Sequence, residues 1–128
     1  MNNQTSSAHF LRWFDPRNRQ VGTWAFILNR ITALGLTLYL AMHLVALSQL
    51  AQGPAVYNAF IAFAKNPLFK IGEMLVIAAG IIHGLNGVRI ALNSFGIGVR
   101  YHKQMFLVLM LAAVIAIAYF GYIMFFVD

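Results

Sequence analysis

Few side chains in this sequence can do chemistry, and those that can sit inside runs of hydrocarbon. The chain has four histidines, three acidic residues and no cysteine in 128 residues. The stretch Ile81–Arg89, IIHGLNGVR, sets His83, Asn86 and Arg89 within one apolar run, and His43 stands alone within another. Lack of cysteine excludes disulfides, thiolate ligands and thiol nucleophiles, so a metal or cofactor must rely on imidazole, oxygen ligands or packing. For one buried histidine, a hydrogen bond to a neighbouring helix is explanation enough. Two, on separate segments, point to ligation, because neutral imidazole is the commonest metal ligand and a frequent axial ligand of haem.

Helical spacing sharpens the pattern. At 100° per residue Asn86, Arg89 and Asn93 fall at about −60°, −120° and −80° from His83, forming one polar stripe. Gly80, Gly84 and Gly87 fall at roughly +60°, +100° and +40°, on its other side. A glycine face admits something flat close to the backbone. Either a second helix, as in small-xxx-small packing, or a porphyrin whose carboxylates suit Arg89 meets that description. Arg30 and Glu73 are the remaining ionisable groups within apolar runs, where charge is costly unless paired, solvated or interfacial. Glu73 reads as a first-turn carboxylate meeting the positive end of a helix dipole. Arg30 reads as a side chain that can snorkel to the interface.

The elements that must position these groups are membrane helices. With 61% hydrophobic and 9% charged residues, the chain lacks the polar surface of a soluble domain. Apolar spans are expected at about 27–50, 71–92 and 105–127, since about 20 helical residues cross a hydrocarbon core of roughly 30 Å. An N-terminal segment, 1–23, precedes a three-helix anchor, 24–128. No internal repeat or low-complexity region interrupts it. Between the first two spans, VYNAFIAFA is bracketed by the turn signals QGP and NP and predicts a short interfacial helix. The short NSFGIGVRYHK connection makes the second and third helices antiparallel neighbours. From the span midpoints, His43 and His83 differ in depth by about 9 Å. That is large for two ligands of one iron, so each histidine is expected on its own iron, completed by a partner chain.

The net charge of +6 does not signal nucleic acid, because the basic residues flank spans instead of forming a stripe. Arg12, Arg17, Arg19 and Arg30 precede or open the first helix, and Arg89, Arg100 and Lys103 close the second or follow it. Lys65 and Lys70 alone fall on the other side. The positive-inside rule then puts the N-terminus and the second loop in the cytoplasm. The polar opening residues lack the apolar core of a cleavable signal, so the mature chain is expected to begin near Met1. Arg12, Trp13, Phe14, Asp15 and Pro16 suggest a segment lying on the membrane or on a partner, and Trp24 and Phe26 read as interfacial anchors at the start of helix one.

The run His83, Gly84, Leu85, Asn86, Gly87, Val88, Arg89, followed by Asn93 and Gly96, resembles the H-x-x-N-G-x-R pattern in helix two of the cytochrome b membrane-anchor subunits of succinate dehydrogenase. Asn29, Arg30, Ile31 and Thr32 resemble the H-R-x-[TS]-G segment opening helix one of that family. The resemblance covers about residues 26–96. It departs where Asn29 replaces a histidine, Phe26 a quinone-binding serine of one branch, and Asn93 a frequent aspartate.

This resemblance implies an all-α membrane protein whose three transmembrane helices form half of a two-subunit, haem-binding helical bundle. Its expected cofactor is haem b, one or two copies shared with a second membrane-anchor subunit, with quinone as substrate. His83 would be the proximal axial ligand and His43 the distal one, while Arg89, Asn86 and Gly87 would line the haem pocket or hold its propionates. Arg30, Asn29, Phe26 and Trp24 would form the quinone site, Arg30 polarising a carbonyl as charge builds on it. The implied partners are the iron–sulfur subunit, the flavoprotein subunit and membrane lipid, in a bacterial cytoplasmic membrane. Such a chain is a subunit of an oxidoreductase that passes electrons to quinone without itself oxidising succinate. A haem-free anchor of the same complex and a small proton-coupled transporter are the alternatives.

Overall fold

The structure, a computed structural model, describes residues 20–127. Expectations for Arg12, Trp13, Phe14, Asp15, Pro16, Arg17 and Arg19 lie outside the described residues. Helix α1 spans Val21–Ser48 and tightens into a 3-10 turn over Gln49–Gln52. A short α2, Pro54–Ala64, comes next, then α3, Pro67–Ser94. A 3-10 turn at Val99–Tyr101 leads into α4, His102–Phe126.

The boundaries follow from local chemistry. Pro54 and Pro67 open α2 and α3, where their missing N–H groups cost nothing. The Asn66 side chain caps α3 by accepting from Leu68 N at 3.0 Å. Gly53, Gly96 and Gly98 take positive φ at the turns between helices.

Three helical stretches, Val21–Gln52, Pro67–Ser94 and Val99–Phe126, are long and apolar enough to cross a membrane. Each begins before its hydropathic span. A 28-residue helix rises about 42 Å against a core of roughly 30 Å, so hydropathy marks the hydrocarbon edge while the helix continues through the interface. One consequence is a correction. Because α3 opens at Pro67, no acid lies in its first turn, and Glu73 stands about 9 Å along the axis, beyond the reach of the dipole's positive end.

Helix α3 is central, packing on α1 and on α4, whereas α1 and α4 scarcely meet. Small or aromatic residues mark the seams: Ala25, Phe106 and Ala113 are buried, and Gly121 of α4 passes close to Met74 of α3. Lys70 adds a polar tie, its Nζ donating to Met124 O at 3.3 Å in the last turn of α4. From Thr37 to Val45 every residue of α1 is exposed, so the C-terminal half of this helix stands away from its neighbours.

Candidate functional site

The N-terminal half of α1 meets the C-terminal half of α3, and the polar stripe read from the sequence lies in that seam. Half-buried His83 places Nδ1 3.2 Å from Asn29 O and 3.2 Å from Thr32 Oγ1. Thr32 is itself buried, and its hydroxyl donates back to Leu28 O at 2.7 Å, with Asn29 O a longer alternative at 3.1 Å. These partners assign the imidazole proton. A carbonyl can only accept, and the threonine proton is committed to its own helix. Nδ1 must therefore donate, which leaves the lone pair of neutral His83 on Nε2. That is the tautomer of a histidine that ligates a metal through one nitrogen and is oriented through the other.

One turn further along α3, Asn86 is fully buried. Its Nδ2 donates to Ala25 O at 2.9 Å, and its Oδ1 accepts from Arg89 Nε at 3.0 Å. Ala25 allows this approach because it carries only a methyl group, and its carbonyl has a second lone pair beyond the helical bond. Arg89 is 9% exposed and holds its guanidinium carbon 5.7 Å from the centre of the Phe106 ring. Among the described residues it has no acid nearby. Glu73, the single described carboxylate, lies about four turns away along α3. A buried guanidinium with no acid beside it among the described residues suits an anion.

The opposite side of His83 is open. A Cβ built at Gly80, Gly84 or Gly87 would meet nothing within 4 Å. Two amide oxygens, Asn29 Oδ1 and Asn93 Oδ1, are buried with no hydrogen-bond partner among the described residues. A flat group beside α3, with an iron to receive Nε2 and acidic arms toward Arg89, is compatible with these residues. Among the described residues no three His, Cys, Asp or Glu side chains gather into a protein-only metal centre.

Of the residues expected at a quinone pocket, the structure pairs two. Arg30 is exposed, with its guanidinium carbon 4.5 Å above the Phe26 ring centre. Stacking occupies the face of the guanidinium and leaves its in-plane N–H groups available. Asn29 adjoins them and hands its backbone carbonyl to His83. Trp24 stands about 120° around α1 from Arg30, away from that pair.

His43 is not brought near His83. The level of His83 on α1 falls between Asn29 and Thr32, so His43 lies some 12 residues further, about 18 Å at 1.5 Å per residue. This doubles the offset expected from span midpoints, because α1 begins earlier than its hydropathy indicates. On the exposed half of α1, His43 stacks on Tyr39 with ring centres 5.3 Å apart, and its Nδ1 lies 3.3 Å from the tyrosine hydroxyl. Of the partners of the two histidines, Thr32 belongs to the motif that opens helix one and Tyr39 belongs to none. The i−4 relation of Tyr39 to His43 could have shown that pair. The contact of Thr32 with His83 joins positions 51 residues apart and has no local signal.

Three membrane-length helices, with their buried polar groups gathered in one interhelical seam, define an all-α membrane subunit. Over residues 1–121 the chain matches the family described as succinate dehydrogenase/fumarate reductase transmembrane subunit, and it belongs to that family. It is 33% identical over 85 residues to the succinate dehydrogenase 2 membrane subunit SdhC of Mycobacterium tuberculosis, covering 66% of this chain and 62% of that protein's length. It is 30% identical over 113 residues to the succinate dehydrogenase hydrophobic membrane anchor subunit of Halobacterium salinarum, covering 87% of this chain and 85% of that one.

Proposed function

We propose that this chain is the cytochrome b anchor of a bacterial succinate:quinone oxidoreductase, docking an iron–sulfur and a flavoprotein subunit and binding haem b and quinone in the membrane. The observation that carries the reading is the contact of His83 Nδ1 with Asn29 O and with Thr32 Oγ1, each at 3.2 Å. Those acceptors hold the proton of a neutral ring on Nδ1 and leave the lone pair on Nε2, while a Cβ at Gly80, Gly84 or Gly87 of the same helix would meet no described atom within 4 Å. Haem b, when bound, would supply a one-electron store between the iron–sulfur subunit and quinone. Toward it His83 offers an axial nitrogen, Arg89 a buried positive charge, Asn86 the bond that fixes Arg89, and Gly87 room for close approach. A second anchor subunit would contribute the other axial ligand. His43, about 18 Å away along α1, would serve a separate, distal haem.

Arg30 performs the quinone step on this reading. Held over Phe26, it directs N–H donors at a quinone carbonyl and stabilises the negative charge that grows there on reduction. Asn29 Oδ1, buried with no partner among the described residues, can accept a hydrogen bond from the resulting hydroxyl. Trp24, on another side of α1, would form the rim of that pocket or anchor the interface. Seven basic residues on one side of the spans and two on the other support a cytoplasmic N-terminus and a multi-pass place in the cytoplasmic membrane.

The purified complex should show a bis-histidine haem b in its reduced-minus-oxidised spectrum. Retention of every haem signal after His83→Leu would overturn the assignment. A second reading, a haem-free anchor, takes the bonds of His83 to Asn29 and Thr32 as its whole role in tying α1 to α3. It expects no haem absorbance in the wild-type complex. Membership of the family argues against the proton-coupled transporter.

A further inference from the structure

We infer that Thr32 is a positioning residue that sets the electron density of His83 and hence the reduction potential of the iron it would ligate. The inference rests on His83 being an axial ligand. Thr32 is 7% exposed, and its hydroxyl cannot turn freely, since it donates to Leu28 O at 2.7 Å. Its oxygen is thereby polarised and presents a lone pair to His83 Nδ1 at 3.2 Å, sharing that proton with Asn29 O at 3.2 Å. Two acceptors on one N–H draw the proton away from the ring and give the imidazole anionic character. The lone pair on Nε2 becomes a stronger donor to iron and favours the ferric over the ferrous state. Metal-ligating histidines are commonly oriented by a single acceptor on the distal nitrogen. Here the second acceptor comes from a side chain, so sequence can change it without moving the backbone. His43 lacks this arrangement, since the Tyr39 hydroxyl beside it can donate as well as accept.

The test compares Thr32→Val, which keeps the shape and removes the hydroxyl, with Thr32→Ser, which keeps the hydroxyl, in the whole purified complex by redox titration of the haem absorbance. The valine variant should shift the ferrous-to-ferric balance toward ferrous by up to about tenfold, which is about 59 mV upward for a one-electron couple. Serine should return the potential close to wild type. Loss of haem in the valine variant alone, with retention in serine, would also support the role. A wild-type potential in valine, or equal shifts or equal haem loss in valine and serine, would overturn it, because shape and not the hydroxyl would then matter. The underlying ligand reading fails differently, by a haem spectrum that survives His83→Leu.

Discussion

Replacing Asn86 with alanine probes the seam that holds α1, α3 and Arg89 in one register. The side chain is fully buried and makes two bonds, to Ala25 O at 2.9 Å and from Arg89 Nε at 3.0 Å. An interhelical hydrogen bond in a membrane contributes about 0.6 kcal/mol. One to a charged group contributes about 1.5–3 kcal/mol, and its loss leaves the guanidinium buried without its acceptor. Asn86→Ala should therefore destabilise by about 2–4 kcal/mol. Arg89→Leu should remove the charged bond together with the guanidinium's contact with the Phe106 ring; only the bond is shared with Asn86, so the double variant should cost about 1.5–3 kcal/mol less than the two single variants added together. Unfolding of the purified complex in mixed micelles of increasing SDS fraction, followed by helical ellipticity, measures all four corners of the cycle. Coupling below about 0.5 kcal/mol would refute the reasoning, because the two side chains would then be energetically independent despite their geometry.

Arg30→Ala should lower kcat/KM for quinone by about 10- to 100-fold, the worth of a charged hydrogen bond, while succinate-driven reduction of an artificial acceptor persists. Equal loss of both activities would indicate failed assembly instead. Arg30→Lys should recover only part, because an ammonium lacks the planar face that rests on Phe26. His43→Ala should remove a distal haem signal and leave the one that depends on His83; parallel loss of both would contradict the separation of about 18 Å along α1. Gly98→Ala should cost about 1–2 kcal/mol in the same unfolding assay from its left-handed backbone alone. Its φ is 70°, and a Cβ there would lie 2.5 Å from Met105 Sδ, so an unchanged midpoint would show that the turn is not held as described.

Some of this was legible in the chain and some was not, for physical reasons that differ by element. The three long helices announce themselves because crossing hydrocarbon requires only that nearly every residue be apolar, a property each segment has by itself. Their ends do not. Val21–Phe26 and Pro67–Lys70 continue the helices past the hydrophobic spans, and capping by Asn66 and the prolines decides the start of α2 and α3. Glu73 was misplaced for that reason, and the depth of His43 underestimated.

The polar stripe of His83, Asn86 and Arg89 was equally plain, because helical period alone puts residues three apart on one face. Residue order and helical period are enough to give α3 an imidazole, an amide and a guanidinium along one side and glycines along the other. What each of these groups meets depends on how the helices pack. The register of α1 against α3 aims Asn86 at Ala25 O, makes Asn29 O and Thr32 the acceptors for His83, and thereby chooses which imidazole nitrogen keeps its lone pair. A hydrogen bond between residues more than fifty positions apart depends on two helix rotations and one relative slide, none of which is encoded in the neighbours of either residue.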